Sequence, residues 1–330
     1  MGWGSPGRRP FHALKEFLRP NNHGAAPLVG ERRPQLTWVY RNGRVKSGTV
    51  MRGLQLSSLA RQGLQDTCIV EYAALADIKE CVGHTLFLTP SVIRHATFEE
   101  LDRLRRRRNT LCLDFLDYPP SDQLIDERDV LISSSIRQHE LLRIRYPKNI
   151  SHMITHHVDP EIDYTFRNFT EARIGYFGEL GNARYNSELR DSIDFHQTNN
   201  SENPDRSWLS LLPNYNCHYS VREYRFPFPN PPPDAFKPFT KGFTAARCAS
   251  NLIVDRDESD ALFYLGSDYP YLLDNNELPT VKRALAFVKE SFGSSDWKRG
   301  LEAMREVRSK SSENHIQGEI ADLLRVLRSR

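Results

Sequence analysis

A chain of 330 residues favours two domains or one large one, and 39% apolar residues at this length suffice to bury a sizeable core. The charge is nearly balanced, 45 basic against 42 acidic residues, which excludes the strong basic excess typical of nucleic-acid-binding proteins. Five scattered cysteines, odd in number and with no Cys-x-x-Cys pair, argue against a disulfide scaffold or a zinc site and suit a reducing cytosol.

Residues 1–34 carry Gly, Pro, Arg and Asn around one short amphipathic stretch and read as a poorly ordered basic tail. They contain no apolar core of signal-peptide length, and no segment approaches the roughly 20 apolar residues that span a bilayer. A cytoplasmic location is expected. From Leu36 a rhythm begins. LTWVY (36–40) predicts a buried strand, followed by a Gly-containing loop and a helix over 51–62. TCIVEY (67–72) predicts a second strand with AALADIKEC behind it as a helix. TLFLTP (85–90) predicts a third, followed by the helix FEELDRLRRRR (98–108). TLCLDFLDY (110–118) and DVLISSS (129–135) continue the series, RQHELLRIRY supplies a helix, and ISHMITHHVDP (150–160) is a sixth strand. Short apolar runs alternating with helices at this spacing predict a parallel sheet wound on both faces.

A polar segment separates this half from ARIGYFGE (172–179), which starts a second α/β unit. DSIDF (191–195), CHYSVREY (217–224) and LIVDRD (252–257) predict further strands. FPFPNPPPDAFKPF (226–239) must be a loop, since proline neither donates to a sheet ladder nor continues a helix. TKGFTAARCAS (240–250) predicts a helix, and the chain is helical from Pro279 onward.

Open parallel sheets bind ligands beyond the carboxyl ends of their strands, which selects the loops after each strand. The loop 41–49 precedes a helix, where Gly48 permits close approach and free amides attract anions; Arg52 lies one turn further. The run Gly175 to Arg184 holds three glycines in seven positions, with Gly178, Asn182 and Arg184 as candidate ligand contacts. Lys237-Pro238-Phe239-Thr240-Lys241-Gly242-Phe243-Thr244 enters a helix, with Thr240 a natural N-cap. A cap explains Thr240 but neither lysine, because cations are disfavoured at the positive end of the helix dipole. Lys237, Thr240, Lys241, Gly242 and Thr244 therefore predict a cradle for an anionic, diphosphate-type ligand.

A base for deprotonating an acceptor hydroxyl is sought among Asp117, at the end of the fourth strand, and His157, at the crossover between the halves. Loop stabilisation for the first and a hinge hydrogen bond for the second are the competing readings. His156 and Glu71 are weaker candidates. Arg103 and Arg105 to Arg108 form a basic cluster, read either as a solvated face or as a contact with anionic lipid headgroups. Asp268-Tyr269-Pro270-Tyr271 is either a sugar-stacking loop or a packed turn.

These segments resemble the GT-B superfamily of glycosyltransferases, which use nucleotide-activated sugars. The resemblance rests on ISHMITHHVDPEI, similar to the interdomain crossover with Val158-Asp159, on ARIGYFGELGNARY, and on KPFTKGFTAARCASNLIVDRD. It departs at Lys237 and Ala245, where many retaining members carry glutamates. It implies an α/β fold of two doubly wound Rossmann-like domains facing a cleft: 35–160 on the acceptor side, and 161–330 on the donor side with terminal helices. The last helix is expected to cross back to the first half. The implied function is metal-independent transfer of a sugar from a nucleotide donor to a glycan or lipid-linked acceptor, with no cofactor beyond that co-substrate, no nucleic-acid partner, and peripheral membrane contact as an option. A non-catalytic nucleotide-sugar or glycan binder and a nucleotide-sugar epimerase are the alternatives.

Overall fold

In a computed structural model of the chain, the apolar runs become strands whose side chains are buried on both faces, as parallel strands covered by helices require. The structure describes residues 34–41, 47–162, 167–198, 206–223 and 236–329. The expected tail of residues 1–34 lies almost wholly outside them, as does most of the proline-rich loop. Residues 34–330 pack as one unit.

The first sheet contains β1 (Gln35–Tyr40), β2 (Ile69–Ala74), β3 (Thr85–Leu88), β4 (Thr110–Asp114), β5 (Val130–Ser133) and β6 (Ile150–Met153), in the order β2-β1-β3-β4-β5-β6. The second contains β7 (Ile174–Gly178), β8 (Asp194–Gln197), β9 (Cys217–Tyr219), β10 (Asn251–Asp255) and β11 (Leu272–Leu273), in the order β11-β10-β9-β7-β8. Every pairing within both sheets is parallel. Counted from its own first strand, each sheet begins 2-1-3-4-5. Chain direction across the sheet therefore reverses between β1 and β3, and again between β7 and β9. Those two switch points are where an open α/β sheet leaves a crevice for ligand.

The helix after β1 starts with the turn Ser47–Thr49, passes through a π segment, Val50–Gln55, and continues as α1 (Leu56–Leu64). Next come α2 (Pro90–Ile93), α3 (Phe98–Arg106) and α4 (Ile136–Arg145). Thr97 and Glu100 form a reciprocal capping box that fixes the start of α3. The second sheet is covered by α5 (Thr240–Arg247), α6 (Ala261–Leu265), α7 (Leu278–Glu290) and α8 (Ser295–Lys310). The last helix, α9 (Glu313–Arg328), leaves that half. Its Ile316, Ile320, Leu323 and Leu324 join Leu56, Leu59, Ala60 and Leu64 of α1 in the core of the first sheet. Glu319 fastens it to the crossover by accepting from the backbone N–H (2.7 Å) and hydroxyl (2.8 Å) of Thr155.

Several expectations need correction. Residues 75–80 form turns after β2 rather than a helix, and Glu71 sits inside β2, where it accepts from Gln35 Nε2 at 2.6 Å. β4 ends at Asp114, because Leu116 takes a left-handed φ of 54° that no strand continues. The Asp268–Tyr271 segment is a packed turn: Tyr269 and Tyr271 are buried, and the Tyr269 hydroxyl accepts from the Leu252 amide (2.7 Å). Of the cluster Arg103 and Arg105 to Arg108, Arg105 does not lie on a solvated face. Arg105 is buried in a two-point contact with Asp129 (2.9 and 2.6 Å), Arg106 pairs with Asp102 (2.7 Å) and Arg107 with Glu80 (2.6 Å).

Candidate functional site

The switch point of the second sheet lies between the ends of β7 and β9, and charged side chains from four segments meet there. β7 runs out at Gly178-Glu179. After β9 the chain turns at Ser220 to Arg222, where Arg222 forms an antiparallel bridge with Ala183. The flanking bonds, Arg184 N–H to Val221 O (3.2 Å) and Glu223 N–H to Asn182 O (3.0 Å), hold residues 182–184 alongside. The third segment is Lys237 and α5 with Lys241, and the fourth is Glu258, just beyond β10.

Lys241 is the centre of this group. Its Nζ is shut off from solvent and has no hydrogen-bond partner. It stands 3.4 Å from the centre of the Tyr176 ring, a cation–π contact, and only 3.0 Å from where a Cβ at Gly178 would lie. Glycine at 178 thus leaves the room that the ammonium fills. Burial first, then the Arg222 and Lys237 charges, hold the lysine well below its ordinary pKa, with Glu258 opposing. Lys237 is shifted down for the same first reason, burial, and then by Arg222; Asp117, Glu258 and Glu179 oppose.

Among the described residues, Glu258 is the buried carboxylate that acts on all three cations. It lies 2.9 Å from Arg222 Nε, but without the alignment of a hydrogen bond. Burial raises its carboxyl despite the attraction of Arg222, Lys241 and Lys237. The three cations therefore share one buried carboxylate, with Asp117 and Glu179 acting in addition on Lys237. His218 on β9 adds a buried Nε2 with no partner, and burial together with Lys241 pushes its imidazole down to about 3, so it is neutral. An ammonium with three unused donors beside two further cations is complementary to a multiply charged anion.

Of the residues singled out from sequence, Gly178, Asn182, Arg184, Lys237 and Lys241 come together here. Asn182 Nδ2 donates to Glu179 Oε2 (3.2 Å), and Arg184 lies over the Tyr185 ring and 4.0 Å from Glu223. Asp117 belongs to the first half and reaches the group through its charge, which acts on Lys237 and on Arg94. Gly48 lies at the same end of the first sheet, where an added Cβ would meet Leu116 at 3.1 Å.

Others have different work. Arg52 is wholly buried and binds Asp114 Oδ2 (2.7 Å) and the carbonyl of Ile154 (2.9 Å), so it braces the first sheet against the crossover. His157 is buried, with Nε2 on Gln55 Oε1 (3.0 Å); burial and the Arg52 charge bring it down to about 3, too weak to hold a proton at neutral pH. Its hinge reading replaces the catalytic one. Thr240 is the first residue of α5, whose N-cap position is Phe239, so Thr240 does not cap it. Thr244 Oγ1 donates back to the Thr240 carbonyl (3.0 Å). Gly242 makes room for Phe239, whose ring would lie 2.0 Å from an added Cβ.

Sequence reasoning missed Arg222, Glu258 and Tyr176. Lys241 itself carried a signal, a cation at a helix start, but nothing local marked the partners. Also unforeseen is Asp260, which reaches from the second half to the start of α4 in the first. It takes a left-handed φ of 66° and accepts from the Ile136 (2.9 Å) and Arg137 (3.2 Å) amides.

Two parallel Rossmann-like sheets, of six and five strands, form an architecture of the GT-B type. Comparison with solved structures finds this same fold. A glycosyltransferase from Rickettsia africae superposes with a TM-score of 0.60 at 10% identity, covering 88% of this chain and 97% of that one. Anabaena Alr3699/HepE in complex with UDP gives 0.55 at 9% identity, covering 88% and 100%. Sucrose-phosphate synthase from Thermosynechococcus elongatus gives 0.53 at 11% identity, covering 90% and 100%. No protein-family model and no curated protein matches the sequence. Among the described residues, no helix is long and apolar enough to cross a membrane.

Proposed function

We propose that this chain binds a nucleotide-activated sugar between its two sheets and transfers the sugar to a glycan or lipid-linked acceptor in the cytoplasm. The observation that carries the reading is the sequestered, unpartnered Lys241 ammonium, with Lys237 and Arg222 sharing Glu258 with it. The diphosphate of the donor is the anion proposed to complete this group, with Arg184 at its rim. In the transfer, the acceptor oxygen bonds to the anomeric carbon while the bond from that carbon to the diphosphate breaks. The hydroxyl proton goes to a carboxylate, for which Asp117 is the proposed base. The negative charge that develops on the leaving diphosphate is what Lys241, Lys237 and Arg222 stabilise, and they do so without a metal ion. UDP and UDP-glucose are the first ligands to try, because Alr3699/HepE binds both.

A second reading, binding without transfer, is favoured by Lys237 and by Ala245, which is wholly buried and presents no polar group. Calorimetric titration of UDP and UDP-sugars, run beside an assay for release of UDP, separates the two. Binding with turnover supports transfer, and binding with none, across acceptors, supports the second reading. No binding by any nucleotide refutes both.

A further inference from the structure

The two halves are joined through the chain at two places, the crossover after β6 and the turn from α8 into α9. A third junction is made by side chains. By packing, α6 belongs to the second half: Ala261 and Leu265 are buried in its core, and the Tyr264 ring stacks on Phe239 (5.7 Å between centroids) and meets Phe243 edge-on (5.0 Å). Its polar groups, with Asp260 at its N-cap position, reach the other way. The buried Asp260 accepts from the Ile136 (2.9 Å) and Arg137 (3.2 Å) amides at the start of α4. The Tyr264 hydroxyl reaches the Thr155 side chain on the crossover, the residue that Glu319 of α9 also binds.

The junction between α4 and α6 is polar. A cavity of about 200 Å³ opens between the two helices beside Asp260, and the large apolar side chains that α6 turns toward it, Leu262 and Phe263, are exposed. The carboxylate, not an apolar seam, is what joins the helices there. Asp260 is also strained, since its left-handed φ of 66° is one that residues other than glycine rarely adopt. Strain of this kind persists only where the surroundings impose it, and the turn before α6 does so. The Glu258 amide donates to the Asp255 carbonyl (3.0 Å), and the Glu258 carbonyl accepts from the Ala261 amide (3.0 Å). The Glu258 carboxylate meanwhile faces Arg222 at 2.9 Å. Phe239, on which Tyr264 stacks, lies between Lys237 and Lys241 in the chain. One short segment, 258–264, thus touches the cleft cations on one side and the first half on the other.

We infer that Asp260, seconded by Tyr264, is a latch between the halves that fixes their orientation before any ligand arrives, and with it the distance from the Lys241 group to the first sheet. Asp260 is a positioning residue: it acts on a ligand only through the arrangement of the halves. The consequence for binding rests on the nucleotide-sugar reading above. A ligand that touches both halves finds them already arranged and is spared the ordering that would otherwise weaken its binding. An anion that touches only Lys241, Lys237 and Arg222 is indifferent to the latch.

Hydrogen exchange and small-angle scattering on the free, full-length chain test the latch itself. Asp260→Gly removes the carboxylate while accepting the left-handed backbone without strain. In this variant the Ile136 and Arg137 amides should exchange at least about tenfold faster than in wild type, the effect of losing bonds to a charged acceptor, and the radius of gyration should rise. Exchange within β9 and β10 should stay as it is, which a general loss of stability would not allow. Asp260→Asn keeps one carbonyl acceptor and tolerates the same backbone, so it should fall between the two and covers the case in which the glycine variant fails to fold. Calorimetry reads the consequence: UDP-glucose should bind Asp260→Gly about tenfold more weakly, and inorganic diphosphate within about a factor of two of wild type. Wild type that binds neither ligand refutes the nucleotide-sugar reading, and the exchange result still decides the latch. If both variants match wild type in α4 exchange and in radius of gyration, there is no latch. If diphosphate affinity falls together with that for UDP-glucose, Asp260 acts on the cation group and not on the orientation of the halves.

Discussion

Replacing Lys241 by methionine separates two contributions of one side chain. The substitution keeps the apolar stem and removes an ammonium that has no hydrogen-bond partner. In the free protein that ammonium is a liability. Desolvating a cation costs several kcal/mol, and the Tyr176 contact at 3.4 Å returns about 2 kcal/mol. Lys241→Met should therefore stabilise the unliganded protein by about 1–3 kcal/mol, raising Tm by about 2–4 °C for each kcal/mol. Nucleotide binding should move the opposite way. A hydrogen bond to a charged group contributes about 1.5–3 kcal/mol, so the Kd for UDP should rise roughly 10- to 100-fold. A proton accompanies the ligand. Burial lowers the lysine pKa, and a diphosphate beside it raises that pKa again, so binding takes up protons and weakens as pH rises. Calorimetry in two buffers of different ionisation enthalpy measures this uptake, which should vanish in the variant, while thermal melts follow stability. UDP affinity within about a factor of two of wild type, or a fall in Tm, would refute the claim that the ammonium is held for a phosphate.

Glu258→Gln removes the carboxylate shared by three cations; the unliganded protein should melt lower, and millimolar inorganic diphosphate should restore much of the loss in a thermal-shift assay. Arg105→Gln strands Asp129 in the core without its two-point partner and should cost about 3–5 kcal/mol by urea unfolding, far more than an exposed arginine would. Asp260 has a folded pKa raised by burial to about 6, so the folded state holds its proton more tightly than the unfolded chain does. Its contribution is fully present below the unfolded value near 4 and is lost as pH rises through 6, and Asp260→Asn should flatten that part of the stability profile. Gly242→Ala drives a methyl into the Phe239 ring and should lower stability by about 1–3 kcal/mol, read from thermal melts.

The strands were legible because a strand buried on both faces must be a continuous apolar run, as LTWVY and TLCLD are. Their ends were less so. The apolar letters of 115–118 continue past β4, yet the backbone turns at Leu116, where Asp114 Oδ1 accepts the Leu116 amide (3.0 Å). The two-residue β11 gives no periodicity to detect. Lys241 was readable from a local mismatch with the helix dipole, but its sequestration was not. Its sequestration depends on Tyr176 and Gly178, more than 60 residues away in the chain, and on Glu258 and Arg222, which only the sheet order brings near. His157 and Arg52 show the reverse case. Polar residue types at promising sequence positions are taken up by structural bonds: the buried Asp114 carboxylate and Ile154 carbonyl accept from Arg52, and Gln55 Oε1 engages His157 Nε2.

The return of α9 to the first sheet bears on how the chain is made. Residues 35–160 emerge from a ribosome with the outer side of α1 uncovered, since Ile316, Ile320, Leu323 and Leu324 are translated more than 150 residues later. At synthesis rates of about 5–20 residues per second, that apolar strip waits on the order of ten seconds for its cover. Gly63 shows how close the final seat is: a methyl there would lie 2.7 Å from Gln317 Cγ, so the two helices dock with almost no tolerance. The first half is thus a late-finishing unit, and a nascent chain stalled before residue 313 presents the surface that chaperones recognise.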